Sequence, residues 1–293
     1  LINGQKLAGV AVTSEYLQQV GDQTAANQIK SQFPGINVVR LATSPQGGAF
    51  TSGSQLQGGE TVQGLDQAIQ AFNADGIGVI IDNHNADANT QNNVAQDGSE
   101  ASWFGQLASD NVGNNMVMFQ PENEPMGSSS DIVNEQQTAY NAIRGAGFQG
   151  VVAFDLEGGG SAAPQESNPA VYDAMSNYVI DAHAYAANSS NPVSDVQNEV
   201  AQTSNLTEAN GAPVPVYIGE TGNSIDGSNI DPNATALLNY VYPQYGAVAW
   251  LYDGAATGFG SGNGADLLTD PSGNLTSYGQ QIAGIIQSQK QSA

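Results

Sequence analysis

The sequence contains no cysteine, and only 5 Lys and Arg residues stand against 28 Asp and Glu in its 293 positions. Without cysteine there is neither a disulfide framework nor a thiolate metal site. A chain of this length buries enough apolar surface to fold without disulfides. With so few bases it has no cationic patch to offer phosphates, which excludes nucleic acid as a partner. No apolar run is long enough to cross a bilayer, so no membrane-spanning segment is expected. The chain opens at Leu1 with neither an initiator Met nor a charged-then-apolar leader. That reads as a mature or trimmed form, and separately from its start the protein is expected to be secreted, extracellular or periplasmic.

The formal net charge is −23, and it comes from missing bases rather than surplus acids, because only 11% of residues are charged. Ordinary domains carry roughly 25%. Asn, Gln, Ser, Thr and Gly supply the polar surface instead. Acid is the physical setting that suits such a chain. Near pH 3, carboxylates with reference pKa values of about 4 become neutral, and the surviving bases set the net charge. An ordinary chain would then repel itself, whereas this one would carry only a handful of positive charges. Stability at low pH is therefore expected.

Short apolar, β-branched runs recur at 7–13, 36–42, 77–82, 116–120, 151–154, 178–182, 214–218 and 247–251. Helix-like stretches fill intervals between them, at 24–33, 65–72, 103–108 and 132–143. Strands alternating with helices imply parallel strands, and eight such repeats imply a closed (β/α)8 TIM barrel in the α/β class. No linker or composition break interrupts the pattern, so residues 1–293 are expected to form one catalytic domain. Polar, Gly-rich stretches at 46–59, 83–98 and 254–264 follow strands and would build the catalytic face. The run Gly145-Ala146-Gly147-Phe148-Gln149-Gly150 matches a dinucleotide-binding pattern. It precedes a strand, whereas that motif must follow one and open a helix.

The scarce residue types collect at the strand ends. Arg40 lies on the second run, His84 follows the third, and Asn123-Glu124 follows the fourth. His183 and Tyr185 lie just past the sixth, Glu220 just past the seventh, and Trp250 on the eighth. Both His, one of two Arg and one of two Trp thus fall where a barrel of this type builds its active site. Each residue alone has a structural alternative, such as a barrel-bottom ion pair for Arg40, a core ring for Tyr185 or Trp250, or a helix cap for either glutamate. Trp103 reads as a packing residue. The two glutamates, at the ends of different strands, are what glycoside cleavage requires. One gives a proton to the leaving oxygen and the other attacks the sugar carbon.

This ordered set resembles glycoside hydrolase family 5, within clan A. The resemblance runs from Arg40 to Trp250 and implies a retaining glycosidase. It implies Glu124 as acid/base, Glu220 as nucleophile, and Asn123 as the partner of the sugar 2-hydroxyl. Arg40, His84, His183 and Tyr185 would support the carboxylates, and Trp250 would stack under the sugar. The implied activity is endo-β-1,4-glucan hydrolysis, with β-mannanase or exo-β-glucosidase as alternatives within the family. An inactive sugar-binding barrel is the non-enzymatic alternative, and the presence of both glutamates counts against it. The partner is then a β-linked poly- or oligosaccharide, and the protein is expected to act as a monomer. No cofactor is expected. Metal binding has little support, since Asp87, Asn89 and Asn92, or Asn263 and Asp266, sit in polar loops of a kind common in this composition. Glu220 should raise the proton affinity of Glu124, and Arg40 should favour the ionised nucleophile. Glu122 departs from the family pattern, which is apolar at that position. In an extended strand it would point the same way as Glu124; past the strand end it would point to solvent.

Overall fold

The computed structural model describes residues 4–44, 49–50, 54–55, 61–84, 99–157, 169–186, 189–222, 233–252 and 267–292. Eight parallel strands close into a barrel. They are β1 (Ala8–Thr13), β2 (Val38–Thr43), β5 (Gly78–Asn83), β6 (Val117–Gln120), β7 (Val151–Asp155), β8 (Tyr178–Tyr185), β9 (Val216–Gly222) and β10 (Ala247–Ala249). Strand β1 pairs with both β2 and β10, which completes the ring. A separate antiparallel pair, β3 (Ala49–Phe50) and β4 (Ser54–Gln55), lies after β2. All eight expected strands are present. Most of the stretches expected to form the catalytic face lie outside the described residues, as do Asp87, Asn89, Asn92, Asn263 and Asp266.

Nine helices accompany the strands among the described residues: α1 (Ser14–Val20), α2 (Asp22–Gln32), α3 (Val62–Ala74), α4 (Ser99–Asp110), α5 (Ser129–Gly145), α6 (Pro169–Tyr172), α7 (Pro192–Ala201), α8 (Ala234–Gln244) and α9 (Ser277–Ser292). Their starts follow local chemistry. Thr13, Thr61 and Ser128 each accept a backbone N–H from the first turn of α1, α3 and α5. Each bond satisfies one of the donors that a helix start leaves open. Helix α3 shows the packing logic, burying Leu65, Ala68, Ile69 and Phe72 on one stripe. The glycine-rich run at 145–150 is the turn between α5 and β7, not a phosphate loop.

The strands are buried on both faces, as parallel strands are. Alternate residues therefore belong to two different cores. Val39, Leu41, Val79, Ile81, Phe119, Val152, Phe154 and Ile218 pack outward against the helices. Val38, Ala42, Ile80, Met118, Ala153, Tyr217 and Val248 fill the barrel interior. The same parity turns Arg40, Asp82, Gln120, Asp155, Asp181 and His183 inward.

One strand breaks that parity. Ala182 pairs with Ile218 and His183 with Glu220, so Gly219 is an extra residue in β9. The register between β9 and β10 shifts at the same place. With Tyr217 inward and Ile218 outward, strict alternation would send Glu220 into the helix layer. The bulge returns it to the interior, which is a known use of bulges beside active sites.

Candidate active site

The inward row at the C-terminal end of the barrel is polar. Arg40, Asp82, Gln120, Asp155, Asp181, His183 and Glu220 are all buried there, with relative exposures of 5% or less. Arg40 is the hub. Its Nε donates to Gln120 Oε1 at 3.0 Å, Nη1 to Glu220 Oε1 at 2.7 Å, and Nη2 to Asn123 Oδ1 at 2.6 Å. Asp82 Oδ2 lies 3.2 Å from Nη2. Burial works against the guanidinium charge, but Asp82, Glu220 and Asp181 outweigh it and hold Arg40 protonated more firmly than usual. A donor facing Asn123 fixes its amide, leaving Nδ2 on the far side of the group.

Glu220 has both oxygens held. Oε1 accepts from Arg40, and Oε2 accepts from the Tyr185 hydroxyl at 2.9 Å. Asp181 secures the bulge that places it: Oδ1 accepts the Gly219 N–H at 2.6 Å, and Oδ2 accepts the Tyr217 hydroxyl at 2.8 Å. Tyr217 also reaches Gln120 Oε1 at 3.2 Å, so β6, β8 and β9 are tied together beneath the site.

Glu124 sits in left-handed backbone, with φ of 44°. A non-glycine residue rarely adopts that conformation without support. Support comes from Asp155 Oδ2, which accepts the Glu124 N–H at 2.6 Å. The Glu124 side chain meets His183, with Oε1 and Nδ1 2.8 Å apart. The other edge of the ring, Nε2, lies 3.3 Å from Asp155 Oδ2 and 3.8 Å from Asp181 Oδ2. Burial alone would strip the imidazole of its proton. Asp155 and then Glu220 reverse that, and His183 is held protonated well above the usual histidine range. Burial also pushes Glu124 up, but the hydrogen bond and charge of His183, with His84 and Arg40 behind it, bring it down to about 2. The expectation that Glu220 would raise Glu124 is therefore overturned, because a cation stands closer to Glu124.

His84 Nδ1 is 2.7 Å from Asp82 Oδ2, and its ring stacks on Trp250 with centroids 5.0 Å apart and planes 15° apart. Its Nε2 is 3.5 Å from Asn123 Nδ2. All eight residues singled out in the sequence thus converge on one end of the barrel.

Glu122 follows neither expectation. It is 5% exposed, so it does not point to solvent, and it does not join Glu124. Strand β6 ends at Gln120, Pro121 follows, and the left-handed turn at Glu124 breaks the alternation. Glu122 instead packs outward, where Oε2 accepts from Gln136 Nε2 of α5 at 3.2 Å. Burial and the neighbouring carboxyls of Glu135 and Glu100 push its pKa well up. Trp103 is a packing residue as expected, edge-on to Phe104.

Asp82, Asp155, Asp181, Gln120 and Tyr217 carry the site, and the sequence reading does not single them out. A signal for them exists, since an acid inside an apolar run such as Val151-Val152-Ala153-Phe154-Asp155 is unusual where charge is scarce. The second arginine does a different job. Arg144 donates to the carbonyls of Phe148, Gly150, Ser176 and Asn177, pinning the loops that lead into β7 and β8.

Two sets of metal-ligating side chains meet among the described residues, Glu124–His183–Glu220 and Asp155–Asp181–His183. Both depend on His183. A metal ion at either set would have to displace the proton that the surrounding acids favour on that imidazole.

A family model of cellulases, glycosyl hydrolase family 5, matches residues 3–255. Among solved structures, a β-mannanase from Streptomyces thermolilacinus in complex with mannohexaose superposes with a TM-score of 0.72 at 17% identity, covering 98% of this chain and 90% of that one. A β-mannanase from Thermomonospora fusca gives 0.70 at 20% identity, covering 95% and 88%. The cellulase Cel5C_n gives 0.75 at 13% identity, covering 96% and 86%. At such identities the likeness shows the fold. No curated protein sequence matches. The family match takes in every barrel strand and every residue of the polar cluster, and the chain therefore belongs to glycosyl hydrolase family 5 and is a glycoside hydrolase.

Proposed function

We propose that this hydrolase is a retaining endo-β-1,4-glycanase acting on a β-1,4-glucan such as cellulose or its soluble derivatives. Glu220 is the nucleophile and Glu124 the acid/base. The observation that carries this reading is a distance: one carboxylate oxygen of Glu124 lies within 4.8 Å of one of Glu220. Retaining enzymes hold their carboxyls about 5–5.5 Å apart, whereas inverting ones leave about 6.5–9.5 Å for a water.

In this reading the two glutamates divide the labour. Glu220 attacks the anomeric carbon as Glu124 protonates the leaving oxygen, and a glycosyl-enzyme forms. Glu124 then takes a proton from water, which attacks the same carbon and releases the sugar with its configuration retained. Arg40 and Tyr185 hold the Glu220 oxygens in line, so little reorganisation is needed at the moment of attack. The Asn123 amide, oriented by Arg40, offers Nδ2 to the sugar 2-hydroxyl. A bond there that tightens in the oxocarbenium-like transition state raises rate and not only affinity. Trp250, braced against His84, supplies an apolar face for a sugar ring. A substrate of this size is met outside the cell, so extracellular action accompanies the reading, and the shortage of bases suits an acidic working range.

A β-mannan is the second reading, favoured by structural neighbours that include mannanases with bound manno-oligosaccharides. Reducing-sugar release from carboxymethylcellulose, galactomannan, xylan and laminarin across a range of pH separates the two. The glucan reading expects greatest release from carboxymethylcellulose in acid. Dominant release from galactomannan replaces it with the mannan reading, and release from none of the four removes both. Proton NMR of early product should show the β-anomer; an initial α-product would rule out retention.

A further inference from the structure

The acid/base role leaves one difficulty. Glu124 has to deliver a proton, yet the cation beside it keeps its carboxyl ionised down to about 2. The proton it needs is nearby, on the imidazole edge 2.8 Å away. Which side of that short contact holds the proton depends on what stands behind the ring.

Behind it stands Asp155, an acid at the end of β7 that touches both members of the pair. Its Oδ2 holds the Glu124 N–H at 2.6 Å and lies 3.3 Å from His183 Nε2. Its Oδ1 accepts the Leu156 N–H at 2.7 Å, so both oxygens are fixed. We propose that Asp155 is a positioning residue for the acid/base, clamping the left-handed backbone of Glu124 with one oxygen while the same carboxyl keeps a proton stored on His183. This inference rests on the reading of Glu124 as acid/base.

The proton balance closes over one turnover. As the glycosidic bond breaks, the His183 Nδ1 proton passes to the ionised Glu124 and Glu124 passes a proton on to the leaving oxygen, so Glu124 is left ionised again. His183 is then neutral and keeps its Nε2 proton toward Asp155. In the second step Glu124 takes a proton from the attacking water and returns one to Nδ1. No proton is gained or lost by the array.

Other groups face the ring. Glu220 Oε2 lies 3.6 Å from Nδ1, and Asp181 Oδ2 lies 3.8 Å from Nε2. Tyr185 and Tyr217 hydrogen-bond those two acids. Arg40 on β2 and His84, which approaches across Asn123, add positive charge acting on Glu124 beside the ring. Glu199 on α7 feels the His183 charge from outside the barrel. Asp155 is the foremost favourable charge acting on His183; burial pushes its own pKa well up, and the His183 charge, the Glu124 N–H and Arg40 work against that rise.

The chain has 2 His, so imidazole NMR resolves each ring, with His84→Gln assigning them. In the wild-type protein His183 should titrate well above the ordinary histidine range. Asp155→Asn keeps the outline and removes the charge, and its single amide oxygen can accept only one of the two N–H groups, of Glu124 and Leu156, that Asp155 holds. It should lower the His183 transition by at least about one pH unit, a tenfold fall in proton affinity. The alkaline limb of its pH–rate profile should move to lower pH by a similar amount. A fluorinated or nitrated aryl glycoside, whose leaving group needs no acid, should be hydrolysed at a rate nearer wild type. A folded Asp155→Asn protein with an unmoved His183 transition overturns the proposal, as does an equal rate loss on both substrate types. If Asp155→Asn does not fold, Glu124→Gln decides. His183 stays cationic if Asp155 holds its charge, and reverts to ordinary titration if Glu124 did. The NMR transition needs no substrate, so wild-type inactivity on every glycan would remove the proposed function without touching this result.

Discussion

Gly219 lies directly against the carboxylate of Asp181. Its N–H donates to Oδ1 at 2.6 Å, and a Cβ built on it would stand 2.0 Å from Oδ2. No side chain fits there, and the carboxylate is not a flexible end that can swing away, because Tyr217 holds its other oxygen. Since the bulge at Gly219 is what aims Glu220 inward, Gly219→Ala should damage both packing and chemistry. Overpacking of this kind costs about 1–3 kcal/mol. The expected result is a lower Tm together with a kcat loss larger than the stability loss explains. An alanine variant with unchanged Tm and kcat would show that the bulge does not set the position of Glu220.

Arg40 places its charge through geometry. Three of its nitrogens serve three partners, Gln120, Glu220 and Asn123. Lysine keeps the charge but has neither the planar fork nor the reach to serve all three. Arg40→Lys should therefore lose kcat by about 10²–10³-fold, the scale seen when one preorganised donor is removed from an active site. Circular dichroism should stay native. Turnover within about threefold of wild type would mean that charge alone suffices.

These two cases show what the sequence makes legible. Arg40, His183 and Tyr185 can be placed because barrel strands alternate, and because a chain with 5 bases keeps few without reason. Glu220 can be named but not aimed, since its direction depends on a register shift against both neighbouring strands, which no single strand reveals. Glu122 is misdirected when the alternation is carried past Gln120, where the strand stops. Asp155 and Asp181 escape notice because an acid at a strand end reads as exposed or as a helix cap, and only the closed barrel shows that those ends face inward. The helices are legible where apolar spacing is strong, as in α3. They are less so in α7 and α9, whose sequences are rich in Ser, Asn, Gln and other polar residues, so that the barrel decides what packs.

The ion pair of Glu124 and His183 has a consequence for stability. The folded pKa of Glu124 lies at about 2, below its ordinary 4.5, and its side chain is 24% exposed. A depressed carboxyl contributes stability that is full above the unfolded value and is lost as pH falls through the folded one. A tenfold change in proton affinity corresponds to about 1.4 kcal/mol, so the upper bound is on the order of 3 kcal/mol. Glu124→Gln should lower Tm at neutral pH, with the deficit shrinking as pH falls from about 4.5 toward 2. A deficit that stayed constant through that range would assign the loss to packing instead.

Glu122 should behave in the opposite sense. It is buried beneath α5 with the carboxyls of Glu135 and Glu100, and with Gln136, whose Oε1 in turn accepts from the Tyr172 hydroxyl. Its folded pKa lies well above 4.5, so between the two values the folded state binds more protons than the unfolded one. Stability then falls as pH rises through that window, and is greatest where Glu122 is protonated in both states. The same acid range neutralises the surface carboxylates, so this group and the scarcity of bases favour the same conditions. Gln at this position accepts from Gln136 as Glu122 does and never ionises. Glu122→Gln should match wild type in Tm near pH 3 and exceed it increasingly above about 4.5. Thermal melts of both proteins from about pH 3 to neutrality measure this difference directly. Parallel curves across the whole range would mean that Glu122 does not titrate on unfolding, and the link between this buried cluster and acid stability would be lost.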